Sequence, residues 1–277
     1  MTTLHASLPM YDFAELQEHT DALWSAISSA LSDQGVHAPR ELQRNLPPLH
    51  DHWLDPSLLL SHTCGYPAVT GLDGRINVVG SWATIVDEPE LQGWYRSVVV
   101  ARHDDLRADD MRAYARSGLR LCANGPESLS GWVSLGFFCD QAGIADDLLA
   151  NEVSVRISGS HAASLEAIQQ GHADVASIDA WSFALFGRVR PSLTAGLRII
   201  GKGPAVAVTP LFTAIGGPVA EIRRALEAVA ANDSMQSTLQ ALGIVGFQPH
   251  GIDAHDPVRD LAARHEPTIG LLQRQTA

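Results

Sequence analysis

Short apolar, β-branched runs alternate along this chain with segments of helical periodicity, and that alternation restricts it to a layered α/β architecture. Arg96 to Ala101, with Val98-Val99-Val100 inside it, is the most strand-like run. Leu58 to Thr63, Ile76 to Trp82, Leu119 to Ala123, Val153 to Ile157 and Val175 to Ile178 read as further strands, with Ala6 to Tyr11 as a short one. Leu197 to Ile200 and Ala205 to Val208 read as two strands around a Gly-Lys-Gly-Pro turn, and Cys64-Gly65-Tyr66-Pro67 as another turn. Phe13, Leu16, Leu23, Ile27 and Leu31 recur at helical spacing, with Asp12 as the expected N-cap, Glu15 in the capping-box position and Gly35 as the stop. Helices are also expected over Ser128 to Ala142, Ala162 to Gln170 and Ser234 to Leu242, ending at Gly143, Gly171 and Gly243, from Pro218 as N1, and from about Pro257.

The chain has 277 residues, just under two domains at roughly 150 residues each. No linker composition separates two halves, so two lobes would have to be interwoven. Nineteen Lys and Arg against 31 Asp and Glu give a net charge of −12, which lacks the basic footprint of a nucleic-acid binder. Three cysteines, Cys64, Cys122 and Cys139, without CxxC spacing, point to neither a disulfide framework nor a zinc site. Twelve histidines include no HExxH, and no metal or cofactor is expected. No apolar run reaches the roughly 18 residues of a membrane span. The opening residues have neither a basic stretch nor a long apolar run, so the chain as written is expected in the cytoplasm, or in the periplasm if a signal has been removed.

Candidate chemistry sits where strands give way to helices. Asn124-Gly125-Pro126-Glu127-Ser128-Leu129-Ser130-Gly131 lies at one such junction, and helix starts present N–H groups and a positive dipole end. Ser128, Ser130 and Gly131 together can cradle a phosphate-like or carboxylate anion, or Ser128 is an ordinary cap. Ser158-Gly159-Ser160-His161 repeats the arrangement, with His161 as donor to an anion or as a surface residue. Tyr95 and Ser97 stand at alternate positions of the Val-rich strand and share a face. Asp179 follows a strand at its carboxyl end, where open α/β sheets place ligands; it meets a ligand cation or caps a helix. Asp174, one strand length earlier, reads as structural. No nucleophile elbow, P-loop or dinucleotide fingerprint is present, so no catalytic residue is assigned and no turnover is expected.

In these pieces the chain resembles the phosphate/phosphonate ABC-transporter substrate-binding proteins, of the type II periplasmic-binding-protein fold. The resemblance is carried by Tyr95-Arg96-Ser97-Val98-Val99-Val100, by Ser128-Leu129-Ser130-Gly131 and by Gly159-Ser160-His161 with Ser164-Leu165. The runs Gly171 to Asp179 and Leu242 to Phe247 complete it. It implies two α/β lobes, 1–102 with 205–277 and 103–204, joined by crossing strands near Val98 to Arg102 and Ala205 to Val208 and closing on a ligand between them. It implies that Ser128, Ser130 and Gly131 bind the phosphonate, that Tyr95 and His161 belong to the site and that Asp179 is its acidic end. Tyr11 and Tyr66 stand at other strand ends expected to face the ligand. The implied function is binding of a small anion or zwitterion, phosphonate- or phosphate-like, with an ABC-transporter permease as partner. The alternative is a cytosolic enzyme of the same fold acting on a small carboxylate or phosphorylated metabolite.

Overall fold

The computed structural model describes residues 3–86, 88, 94–150 and 153–274. Among them ten strands form two five-stranded sheets. The first holds β1 (His5–Ala6), β2 (Leu58–His62), β3 (Ile76–Thr84), β9 (Pro210–Ala214) and β10 (Ile244–Pro249), in the order β1-β2-β9-β3-β10. The second holds β4 (Trp94–Arg102), β5 (Arg120–Ala123), β6 (Ser154–Ile157), β7 (Val175–Ile178) and β8 (Leu197–Ala207), in the order β6-β5-β7-β4-β8. β6, β5 and β7 run parallel, while β4 is antiparallel to β7. In the first sheet β1 and β2 are parallel, and β9 runs against both β2 and β3.

The chain divides into two compact units, Met1–Gly93 with Ala207–Asp256 and Trp94–Val206 with Pro257–Ala277. This differs from the expected lobes in two ways. The first crossing falls at 93/94 rather than within Val98 to Arg102, because Val98 to Ala101 all pair with β7 inside the second sheet. Residues 257–274, expected with the first unit, pack on the second. There Asp140 accepts a hydrogen bond from the Thr268 hydroxyl at 2.5 Å and pairs with the His265 imidazole. Ile269 covers Gly136, where an added Cβ would lie 2.9 Å from its Cγ1.

Local sequence explains most element boundaries. The helix Gln17–Ser32 buries Leu23, Trp24, Ile27 and Leu31 on one face. Gly143 and Gly243 end helices in the left-handed region, at φ 67° and 69°, which only glycine enters without strain. Three expectations are corrected. Asp12 caps nothing: its carboxylate is bridged by Arg44, with Nε at 2.6 Å, and the first helical turn starts after Phe13 without a side-chain cap. Gly65–Val69 is a short helix rather than a turn. Residues 201–204 do not turn but continue β8 from Leu197 to Ala207. Their glycines permit close approach, since a Cβ at Gly203 would meet Ser134 Oγ at 3.0 Å and one at Gly201 the Phe138 ring at 2.7 Å.

One end of the second sheet is closed by charge. Asp174, nearly fully buried, accepts from Arg120 Nη2 at 2.7 Å and Nε at 3.0 Å, and Asp105 accepts from Arg107 and from the Tyr114 hydroxyl. Burial alone would raise the Asp174 carboxyl, but the Arg120 bonds outweigh it and hold the group below its ordinary range. Asp174 is thus structural, and the opposite end of the sheet is left for other chemistry.

Candidate functional site

That opposite end collects the carboxyl ends of β5, β6 and β7 and the amino end of β4. Ser128 opens the helical segment Leu129–Val133, which runs on into the helix Ser134–Ala142. Its hydroxyl accepts from the Gly131 N–H at 2.9 Å, so Ser128 is the cap and the Gly131 amide is the group it caps. Gly131 has no room for a side chain: a Cβ there would lie 1.8 Å from Asn124 Oδ1. Ser130 Oγ stands 3.5 Å from Ser128 Oγ and 3.0 Å from His161 Nε2. Two serine-rich junctions about 30 residues apart in sequence therefore meet through side chains.

His161 is the first residue of the helix His161–Gln169, which Ser160 caps by accepting from the Ala163 N–H at 3.1 Å. Burial pushes the His161 imidazole below its ordinary value, against the opposing pull of the Asp179 carboxylate. The ring is therefore neutral near pH 7 and carries one donor and one acceptor nitrogen. Nδ1 is buried with no hydrogen-bond partner among the described residues, although part of the residue reaches solvent.

Tyr95 and Asp179 are bound to each other, the tyrosine hydroxyl donating to Oδ2 at 2.7 Å. Oδ1 accepts from the Ser182 N–H at 2.6 Å, so Asp179 also caps the helix Ala180–Val189. Both residues are nearly fully buried. Each carboxylate oxygen thus accepts a hydrogen bond, and the tyrosine and the helix start hold the Asp179 carboxylate in place. Ser97 is held against Ser134, Oγ to Oγ 3.1 Å.

The second unit thus brings Ser128, Ser130, Gly131 and His161 into one constellation, with Tyr95 and Asp179 joined beside their supporting strands. Tyr11 and Tyr66 belong to the first unit. The Tyr11 hydroxyl accepts from Thr209 Oγ1 at 3.2 Å, and its ring meets His62 edge-on at 5.9 Å. Tyr66 is half-buried in the first turn of the helix Gly65–Val69.

Two participants of this constellation, Ser177 and Asn124, were missed from sequence. Ser177, wholly buried on β7, donates to the Ser130 carbonyl at 2.5 Å and so fixes the loop that carries the hydroxyls. A serine inside the apolar run Val175 to Ile178 was the available signal. Asn124 fills the space against Gly131, and its buried Oδ1 has no partner among the described residues. In the first unit, apart from that constellation, His62 ends β2 almost fully buried, with neither ring nitrogen hydrogen-bonded among the described residues. An unpaired buried polar atom of this kind costs about 1–3 kcal/mol. Among the described residues no group of three or more His, Cys, Asp or Glu side chains can hold a metal ion, and no helix is long and apolar enough to cross a membrane.

The arrangement offers hydroxyls, a helix start and a neutral imidazole, which suit an anion. Comparison with solved structures finds the same fold. A binding-protein component of an ABC phosphonate transporter from Pseudomonas aeruginosa is 17% identical, with a TM-score of 0.74 over 99% of this chain and 94% of that one. PhnD1 from Prochlorococcus marinus, in complex with methylphosphonate, is 16% identical, with a TM-score of 0.71 over 96% of this chain and 98% of that one. A Xanthomonas citri protein bound to chloride ion is 14% identical with a TM-score of 0.69, over 96% of this chain and 98% of that one. Among curated proteins none is similar in sequence to a significant degree. The α/β architecture with two five-stranded sheets is thus the two-lobed periplasmic-binding-protein fold, and the enzyme alternative finds no support in these comparisons. The family model for the phosphonate-binding periplasmic substrate-binding proteins of ABC transporters matches residues 7–254, nearly the whole of what the second and first units contribute to their sheets, and the chain belongs to that family.

Proposed function

We propose that this protein binds a phosphonate-like anion through Ser128, Ser130 and His161, with the start of the helical segment Leu129–Val133 as the positive pole. The observation that carries the reading is the 3.0 Å contact between Ser130 Oγ and His161 Nε2, which joins two helix starts around one polar spot. Tyr95 and Asp179 brace that spot, and Ser97 supports it through Ser134. Tyr11 and Tyr66 are the first unit's candidates for ligand contact. The family supports delivery of the ligand to an ABC-transporter permease and a periplasmic place of work.

The experiment is calorimetric titration of methylphosphonate into the wild type and into Ser128→Ala/Ser130→Ala. Each hydroxyl bond to a charged ligand contributes roughly 1.5–3 kcal/mol, so the double variant is expected to lose at least about a hundredfold in affinity. Unchanged affinity, in a variant whose melting shows an intact fold, refutes the assignment.

A further inference from the structure

Of the groups gathered at Ser128, Ser130 and His161, the His161 ring is the one that changes its charge near neutral pH. Ser128 Oγ accepts from the Gly131 N–H at 2.9 Å, so its own proton can point elsewhere. The Ser130 hydroxyl depends on the His161 ring, with Nε2 at 3.0 Å. Where Nε2 carries a hydrogen, it donates to Ser130 Oγ, and the Ser130 proton turns to an anion. Where Nε2 carries a lone pair, the Ser130 proton is spent on the ring, and an anion meets a hydroxyl lone pair instead. A neutral ring samples both forms, since Nδ1 is buried with no hydrogen-bond partner among the described residues to fix the hydrogen. An imidazolium always carries a hydrogen on Nε2.

In the free protein, burial and the start of the ring's own helix disfavour the charged form, and the Asp179 carboxylate opposes them. The other charged groups on the elements around this helix are held elsewhere. Arg120 and Asp174 pair with each other at the opposite end of the sheet, and Arg102 donates to the Ile168 carbonyl in the last turn of the helix. Arg96 donates to the Gly203 carbonyl, Arg190 lies over the Phe186 ring, and Glu127 and Glu166 are exposed. A bound anion adds a second negative charge to that of Asp179. Through an effective dielectric near 20, a charge about 4 Å away raises proton affinity by on the order of a thousandfold, in the direction that opposes burial.

We propose that this site binds its anion together with a proton: His161 is neutral in the free protein and takes up a proton as the anion arrives, so that mild acid tightens binding. The proposal rests on the anion-binding reading above and concerns the second unit alone. The sign follows from linkage. Between the protonation midpoints of free and bound His161 the complex holds one proton more than its separated parts, so affinity rises by up to about tenfold for each pH unit of acidification.

The test is calorimetric titration of methylphosphonate into the wild type and His161→Gln at about pH 8 and about pH 6.5, in paired buffers of different ionisation enthalpy, which count the protons taken up. Methylphosphonate titrates in this range itself, and His161→Gln, which keeps an N–H donor, carries that contribution alone. The wild type is expected to take up more protons than the variant, by as much as about one, and to tighten by about tenfold more over the interval. A second measurement needs no variant. Imidazole nitrogen NMR of the wild type, with and without methylphosphonate, follows the His161 midpoint, which should rise on binding by about one pH unit or more. A midpoint that stays or falls in the saturated complex overturns the proposal and leaves the anion reading intact. So does equal proton uptake by the wild type and a His161→Gln that still binds. Absence of methylphosphonate binding by the wild type overturns both.

Discussion

Mild acid should destabilise this protein well before its carboxylates titrate. His62 and His255 are both almost fully buried, with no partner on any ring nitrogen among the described residues. Burial holds each near a pKa of about 3, against 6.5 in the unfolded chain, and the neighbouring His250 ring, 5.3 Å away, lowers His255 further. Above pH 6.5 both states are neutral and their full contribution to stability is present. As pH falls below 6.5 the unfolded chain takes up two protons that the folded chain refuses until about pH 3, so stability is lost throughout that window. Each group costs about 1.36 kcal/mol per pH unit, and the pair about 2.7. Between pH 7.5 and about pH 5 the loss is roughly 4 kcal/mol, a large share of the ~5–15 kcal/mol that holds a typical protein folded. His52, His161 and His250 are lowered as well, chiefly by burial, and add in the same direction. Urea unfolding at the two pH values, followed by tryptophan fluorescence with m-values compared, measures the loss. His62→Leu/His255→Leu should remove about half or more of the pH slope. Equal stability at both pH values, or a slope that survives in the double variant, refutes the reasoning.

Gly131→Ala forces a Cβ to within 1.8 Å of Asn124 Oδ1 and should cost about 1–3 kcal/mol in stability; adding Asn124→Ala should recover most of it, and urea denaturation of the double-mutant cycle reads the coupling. Tyr95→Phe strips a buried bond from Asp179 and should destabilise by roughly 1.5–3 kcal/mol, measured by the same unfolding curves. Ile269→Ala opens a cavity against Gly136 and should cost about 2–5 kcal/mol, with hydrogen exchange faster in the helix Ser134–Ala142 if residues 257–274 belong to the second unit. Ser177→Ala frees the Ser130 carbonyl and should weaken methylphosphonate binding, while Ser177→Thr, which keeps the hydroxyl, should restore it.

Sequence alone determined what local chemistry decides. The strands β2 to β7, the glycine stops at 143 and 243, and Ser128 and Asp179 at helix starts follow from side-chain periodicity, φ preference and short-range hydrogen bonding, all of which act over a few residues, whereas the expected strand Ala6 to Tyr11 forms only as His5–Ala6. Local rules misled where a distant partner outbid them. Asp12 has the pattern of a cap but binds Arg44, and the glycines of Gly201-Lys202-Gly203-Pro204 look like a turn but make room for Ser134 and Phe138. The junctions at Ser130 and His161 were each legible as helix starts, yet their 3.0 Å contact depends on β5 and β6 pairing in parallel register, a long-range event no local pattern encodes. Burial is likewise a property of the whole fold. It neutralises His62, joins Asp179 to the Tyr95 hydroxyl and seats residues 257–274 on the second unit, because desolvation and packing depend on which residues surround a group rather than on those that precede it in sequence.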